Sequence, residues 1–417
     1  MRFDTLDELL RWQEQLAPRK IDLGLERVQR VWNRLGLELE SLVITVAGTN
    51  GKGSTISLFE SILQQGGYST ASYTSPHLIR YNERIRLRGE PVCDELIMQA
   101  FEAVDEARNH RPLTYFEFGT LAALSIMAWE QPDVALLEVG LGGRLDAVNI
   151  IDADLAVITS IDLDHQAWLG ENRELIGREK AGILRSGRPA VFSALGMPRS
   201  IEEVAERLAV PLYRNGKDFR VEEEQDGWRW CGPRHCIDSL PAPALAGRHQ
   251  LDNAAGVLMG LELLSGQLPL NERAMRAGLR QVALAGRIQT LVLDGVEWVL
   301  DVAHNPHGAA QLGQQLQSVP VPGRTHALLG MLEDKDVAGV MDSLRQVVDR
   351  WHYATLANER GLGAEQLCQY QPGSVHASVR EGLEVLRCMA RRGDRVVVFG
   401  SFHTVGEALP LLQGSEF

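Results

Sequence analysis

Lys52 and Ser54 stand in the run Ala47-Gly48-Thr49-Asn50-Gly51-Lys52-Gly53-Ser54, between a short apolar stretch at 42–46 and a helical pattern at 55–65. A glycine-rich turn at a helix N-terminus aims backbone N–H groups at an anion. An ammonium there neutralises phosphate charge, and a hydroxyl reaches Mg²⁺. The order of strand, turn, lysine, hydroxyl and helix is that of a nucleotide-phosphate site. Its spacing departs from G-x-x-x-x-G-K-[ST], because two residues separate Gly48 from Gly51 and Gly53 stands between Lys52 and Ser54.

Other polar groups fall where strand-like runs end. Glu138 closes Val134-Ala135-Leu136-Leu137, so its carboxylate emerges at the carboxyl end of a strand, where open α/β sheets place ligands. An acid there is costly unless a metal or cation compensates. His165 follows Thr159-Ser160-Ile161-Asp162-Leu163-Asp164 at the next strand end; a lone histidine serves structure as readily as ligation. Ser54, Ser75, Glu138 and His165 are candidate ligands for Mg²⁺, a hard ion that keeps waters and bridges phosphates. Lys180 lies in Arg178-Glu179-Lys180-Ala181-Gly182, which by composition alone reads as a solvated helix face. Asp301 ends another strand-like run and opens Asp301-Val302-Ala303-His304-Asn305-Pro306. Arginines 80, 84, 86 and 88, near His77, read mainly as a solvated basic face.

Positioning these groups requires alternating strands and helices. Short β-branched runs at 43–46, 72–75, 134–139, 155–161 and 189–192 follow helix-length segments, which predicts a parallel sheet with right-handed crossovers. The texture changes at 219–240, whose alternation around Asp226-Gly227 predicts a hairpin. Pro241 and Pro243 then precede a helix predicted at 249–264. A second series begins after Gly286: a hairpin at 291–300 turning at Asp294-Gly295, then strands at 327–330 and 396–399. The fold class is therefore α/β, with a P-loop-type, mostly parallel-sheet domain at 1–285 and a smaller Rossmann-like α/β domain at 286–417.

Composition narrows the setting. With 417 residues, 45% apolar and 23% charged, the chain exceeds what one core organises, and two or three domains are expected. Residues 1–20 form an amphipathic helical pattern without a signal-type apolar region, and no run nears the roughly eighteen apolar residues of a membrane span. A cytoplasmic protein without membrane contact is expected. A net charge of −13 argues against nucleic acid as partner. Five scattered cysteines argue against a disulfide framework, and Cys231 and Cys236 are expected to be reduced and structural.

The glycine loop resembles that of the Mur ligase superfamily. Further motifs are similar to the folylpolyglutamate synthase/dihydrofolate synthase family: Ser75-Pro76-His77-Leu78, Glu83-Arg84-Ile85, 138–146 (EVGLGGRLD), Asp164-His165, 178–182 (REKAG), 301–306 (DVAHNP) and Gly400-Ser401-Phe402-His403. Together they span 21–407, and the chain is identified as a member of that family. One departure is Ala285, where the family usually has proline before Gly-Arg.

The resemblance implies an ATP- and Mg²⁺-dependent ligase that adds L-glutamate to dihydropteroate and extends reduced folates, with an acyl phosphate between. It implies catalytic roles for Lys52, Lys180, His304 and His403. ATP would be held by Thr49, Asn50, Gly51, Lys52, Gly53, Ser54, Asn253, Arg287 and Asp301. The pterin and amino-acid partners would meet Ile21, Asp22, Leu23, Thr114, Tyr115, Phe116, Glu117, Leu145, Asp146, Ala147, Asn305 and Ser401. The resemblance also implies two metal ions, held by Ser54, Ser75, Glu138, His165 and a carbamylated Lys180, and a monomeric protein. Two alternatives share the loop: a cell-wall ligase acting on a UDP-linked substrate, and a regulatory module switched by ATP without ligation.

Overall fold

The apolar run before the glycine turn forms strand β1 (Leu42–Ala47), buried from Val43 onward. This computed structural model describes residues 3–17 and 21–414. Seven further strands join β1 in one sheet: β2 (Thr70–Tyr73), β3 (Ile85–Leu87), β4 (Glu90–Pro91), β5 (Val134–Glu138), β6 (Leu155–Ile158), β7 (Ala190–Phe192) and β8 (Leu212–Arg214). Their order is β4-β3-β2-β5-β1-β6-β7-β8. All pairings from β2 through β8 are parallel, and only β3 and β4 add antiparallel edges. Strands covered by helices on both faces read as continuous apolar runs, as β1, β5 and β6 do. The order sets the ends of β5 and β6 on either side of β1, with Val46 opposite Glu138 and Ala47 opposite Ile158.

Two predicted strands end early, each for a local reason. The strand predicted at 72–75 stops at Tyr73, because the Ser75 N–H goes to the Glu138 side chain and not to a ladder carbonyl, and Pro76 has no N–H to continue the pairing. The run predicted to 161 stops at Ile158, because Thr159 and Ser160 turn their polar groups to the glycine loop.

A small antiparallel sheet of β9 (Arg220–Glu224), β10 (Gly227–Cys231) and β11 (Cys236–Leu240) follows in the order β11-β10-β9. Here the structure corrects the expectation of reduced thiols: Cys231 and Cys236 form a disulfide. Antiparallel pairing places them directly opposite one another, which residue spacing alone does not reveal.

The chain divides into two compact units, Met1–Ala244 with Leu251–Val282, and Leu245–Gln250 with Ala283–Phe417. The second therefore takes in a short segment far upstream of residue 286. Its sheet contains β12 (Gln289–Leu293), β13 (Val296–Asp301), β14 (Thr325–Leu329), β15 (Arg350–Ala354), β16 (Ser374–His376) and β17 (Arg395–Phe399). The order is β12-β13-β17-β14-β15-β16, parallel except for the β12–β13 hairpin. Asp294 and Gly295, at φ 52° and 79°, supply the left-handed pair that such a tight turn needs.

Three histidines line up inside this second sheet. His326 on β14, His352 on β15 and His376 on β16 are all buried. His352 Nδ1 meets His376 Nε2 at 3.1 Å with the rings stacked, and His326 lies one ring further along, 3.7 Å from Asp394. Burial holds all three below the usual imidazole range, His352 down to about 4, with its histidine neighbours and Arg350 adding to the effect. Asp394 and Asp349 partly oppose this at His326, and Glu381 at His376. The unfolded chain takes up these protons near pH 6.5, whereas the folded chain resists them. Stability is thus full above that pH and falls as pH drops toward 4. Chemical denaturation between about pH 7.5 and 5 should show a loss on the order of 1 kcal/mol per pH unit below 6.5. Replacing His352 by phenylalanine should flatten that slope.

Candidate active site

The turn after β1 is locked by contacts from the residues that follow β6. Thr49 N–H donates to the Ser160 carbonyl (2.7 Å), and Asn50 N–H donates to Ser160 Oγ (3.3 Å). Thr159 Oγ1 donates to the Asn50 carbonyl (2.7 Å), and Thr49 Oγ1 donates to the carbonyl of Asp162 (3.1 Å). No side chain fits at Gly48, where a Cβ would fall 1.7 Å from Thr159 Oγ1. Gly51, at φ 88°, begins the Lys52–Gln65 helix, and a Cβ there would meet Asn253 at 2.8 Å. Asn253 is thereby placed against the loop. Thr159 and Ser160 escaped sequence reasoning; their only signal was two hydroxyls directly following an apolar strand.

Two lysines converge on one loop carbonyl. Lys52 Nζ donates to the carbonyls of Gly48 (3.1 Å) and Thr49 (3.3 Å), and Lys180 Nζ donates to the same Gly48 oxygen at 2.8 Å. Lys180 is 5% exposed, which corrects its reading as part of a solvated face. Burial lowers its pKa to about 7, assisted by the charge on Lys52 and opposed by Asp164 and Asp146. Two cations this close favour an anion between or upon them.

Glu138 closes β5 with a buried carboxylate, and Ser75 N–H donates to its Oε2 at 3.2 Å. Ser54 is buried in the first turn of the Lys52–Gln65 helix. His165 is more exposed, in a left-handed conformation, with Nε2 3.9 Å from Asp164 Oδ1. Among the described residues no group of three or more histidine, cysteine, aspartate or glutamate side chains is arranged to hold a metal. The donors present, two hydroxyls, a carboxylate and a histidine, fit an ion that takes its remaining ligands from phosphate and water.

Aromatic rings and a buried aspartate follow on from the end of β5. Phe116 packs against Gly140, where a Cβ would lie 2.5 Å from the ring, and its centroid is 5.9 Å from that of Tyr73. Asp146 accepts N–H bonds from Leu141 (2.8 Å) and Val148 (3.0 Å), while burial raises its pKa to about 7. Leu145 and Ala147 flank it, Ala147 buried. Thr114 caps the Tyr115–Glu130 helix, bonded reciprocally to Glu117, and Gln13 Nε2 donates to the Tyr115 carbonyl. Ile21 and Leu23 are half-buried, and Asp22 pairs with Arg27. Arg84 also departs from the solvated-face reading: it is buried, lies over the rings of Tyr81 and Tyr115 at 5.3 and 5.4 Å, and donates to His77 Nδ1.

In the second unit, Asp301 ends β13 beside Phe399 of β17. Its buried carboxylate accepts N–H bonds from Ile288 and Ala303, both 2.8 Å. Burial raises its pKa, and Arg287 opposes the rise. The Arg287 guanidinium lies 5.3 Å from the Phe402 ring centre, and His304 Nδ1 bonds the Val302 carbonyl at 2.8 Å. Asn305 and Ser401 cap the Pro306–Ser318 and Phe402–Gln413 helices, so two helix N-termini open beyond adjacent strand ends. His403 is exposed in the first turn of the latter. His249, which sequence reasoning passed over, has its pKa lowered to about 4 by burial, then by His307 and Arg287.

Comparison with known proteins agrees with this geometry. A profile described as Mur ligase, glutamate ligase domain matches residues 286–402. The dihydrofolate synthase/folylpolyglutamate synthase of Escherichia coli (strain K12) is 43% identical over 405 residues, covering 97% of this chain and 94% of that protein. A solved structure of E. coli FolC in complex with DHPP and ADP superposes with a TM-score of 0.94 at 43% identity, covering 99% of this chain and 98% of that one. A bifunctional folylpolyglutamate synthase/dihydrofolate synthase with Mn, AMPPNP and L-glutamate bound gives 0.92 at 42% identity, covering 98% of each.

Proposed function

The chain belongs to the dihydrofolate synthase/folylpolyglutamate synthase family, and on that footing we infer that it is an ATP-dependent, ADP-forming ligase joining L-glutamate to dihydropteroate and to reduced folates. The observation that carries the reading is the double-lysine phosphate loop beside a strand-end carboxylate and the Phe116–Tyr73 ring pair, on a chain similar to these enzymes along nearly its whole length. A cell-wall ligase and an ATP-driven switch share the loop. Neither calls for a planar-ring wall with a buried carboxyl.

A carboxylate oxygen is a poor leaving group. In the proposed sequence the substrate carboxylate attacks the γ-phosphorus of ATP and ADP departs. The glutamate nitrogen then attacks the acyl carbon, losing a proton as inorganic phosphate leaves. Lys52 and the N–H groups of 49–54 bind the phosphates; Phe116 and Asp146 orient the pterin ring. Ser54, Ser75, Glu138 and His165 would hold Mg²⁺, which would screen phosphate charge. Asn253, Arg287 and Asp301 contact the nucleotide. His304, Asn305, Ser401 and His403 receive glutamate, Asn305 and Ser401 through the helix N-termini they cap. Residues 1–285 would thus carry the pterin contacts and, apart from Arg287 and Asp301, the ATP contacts, and 286–417 the contacts to the amino acid.

Lys180 is proposed to be carbamylated and to support a second ion. Its depressed pKa leaves a nucleophilic neutral amine near neutrality, and CO₂ addition would turn a repelling cation into an oxygen donor. Intact mass in bicarbonate should show one added CO₂, with occupancy rising between about pH 6 and 8 as the amine deprotonates. Lys180→Gln should lack the adduct, and an unmodified wild-type mass throughout would remove this assignment. The proposed protein is a cytoplasmic monomer; no described helix is long and apolar enough to cross a membrane. The deciding assay supplies ATP, Mg²⁺, glutamate and dihydropteroate and measures ADP and product mass. Absence of ADP formation and of a glutamylated product would reject the ligase.

A further inference from the structure

Arg27 belongs to none of the motifs that mark the loop or the pocket, yet it joins two segments of the proposed pterin site. It lies in the first turn of the Glu26–Leu35 helix, whose N-cap Leu25 offers no side-chain cap. Arg27 Nε stands 2.7 Å from Glu117 Oε1, Nη1 donates to Asp22 Oδ2 at 2.7 Å, and Nη2 donates to the Asp22 carbonyl. The other Glu117 oxygen, Oε2, accepts the Thr114 N–H at 2.8 Å. One oxygen of this 4%-exposed carboxylate accepts an N–H and the other lies in ion-pair contact with Arg27, so Glu117 brackets the two segments. The Thr114 hydroxyl accepts the Glu117 N–H and keeps its own proton to donate.

We propose that Arg27 is a positioning residue for the pterin pocket, holding the Ile21-Asp22-Leu23 segment and the Thr114-Tyr115-Phe116 turn in register through Asp22 and Glu117. This rests on the reading of that wall as the pterin site. The guanidinium donates two bonds to Asp22 while its Nε pairs with Glu117, a spread of contacts that one ammonium cannot make. A carboxylate as buried as Glu117 also loses its stabilising cation if Arg27 is removed. The turn carrying Phe116 then loses its bracket, while the phosphate loop, held from Thr159 and Ser160, keeps its own.

The test is steady-state ADP release by the full chain, with dihydropteroate and ATP varied separately. Arg27→Ala should raise the dihydropteroate KM about tenfold, with kcat and the ATP KM within about threefold of wild type. Arg27→Lys, which keeps the charge and packs similarly, should fall between the two and serves if the alanine variant does not fold. Arg27→Ala combined with Glu117→Gln should be no worse than Arg27→Ala alone, because both act through one bracket. A lowered Tm with an unchanged dihydropteroate KM, or equal losses toward both substrates, would overturn the proposal. Asp146→Ala separates the two layers. If it leaves the dihydropteroate KM unaltered, the pocket reading itself fails; if it raises that KM while both Arg27 variants do not, only the role of Arg27 fails.

Discussion

Lys52→Ala is expected to reduce turnover by about 10²–10³-fold, the usual effect of removing a preorganised group that meets charge developing in the transition state. The ammonium sits at the first residue of a helix and donates to carbonyls three and four residues back, at the mouth of the loop that would meet the phosphates. Its removal leaves Gly48 bonded to Lys180, so the melting temperature should stay within a few degrees of wild type. Single-turnover measurement at saturating ATP would separate lost chemistry from lost binding. A wild-type rate would strip Lys52 of its role.

Glu138→Gln is expected to cause a loss of similar size for a different reason. The amide keeps an oxygen for the Ser75 N–H but lacks the charge that makes a carboxylate a ligand for a hard cation. Turnover should fall about 10²-fold or more, and the Mg²⁺ concentration for half-maximal rate should rise. Lys52→Ala should not share that shift. Metal titration of the two variants therefore distinguishes phosphate binding from cation binding, and an unchanged Mg²⁺ requirement in Glu138→Gln would remove Glu138 from the metal site.

Much of the architecture was legible because its signals are local. β1, the glycine turn and the helix after it follow one another within twenty-four residues, and the alternation of strands and helices announced a parallel sheet. Asp294-Gly295 announced its hairpin through backbone chemistry alone. What stayed hidden depends on partners distant in sequence. Lys180 resembles any charged helix residue until its amine is seen on the carbonyl of Gly48, 132 positions away. Arg84 reads as solvated until its aromatic neighbours close over it. The disulfide needed the β10–β11 register, and the bracketing role of Glu117 needed Arg27, ninety positions earlier.

The central placement of β1 also governs how the protein comes into being. Its neighbours β5 and β6 arrive about ninety and 110 residues later in the chain, and β6 must dock before the turn after β1 acquires its contacts from Thr159 and Ser160. Such long-range pairing is slow, since loop closure precedes any reward. During synthesis, a ribosome-bound fragment ending near residue 130 would carry the whole glycine motif yet bind no nucleotide. Affinity for ATP should appear only after the β6 segment has left the exit tunnel, making nucleotide capture a late reporter of productive folding.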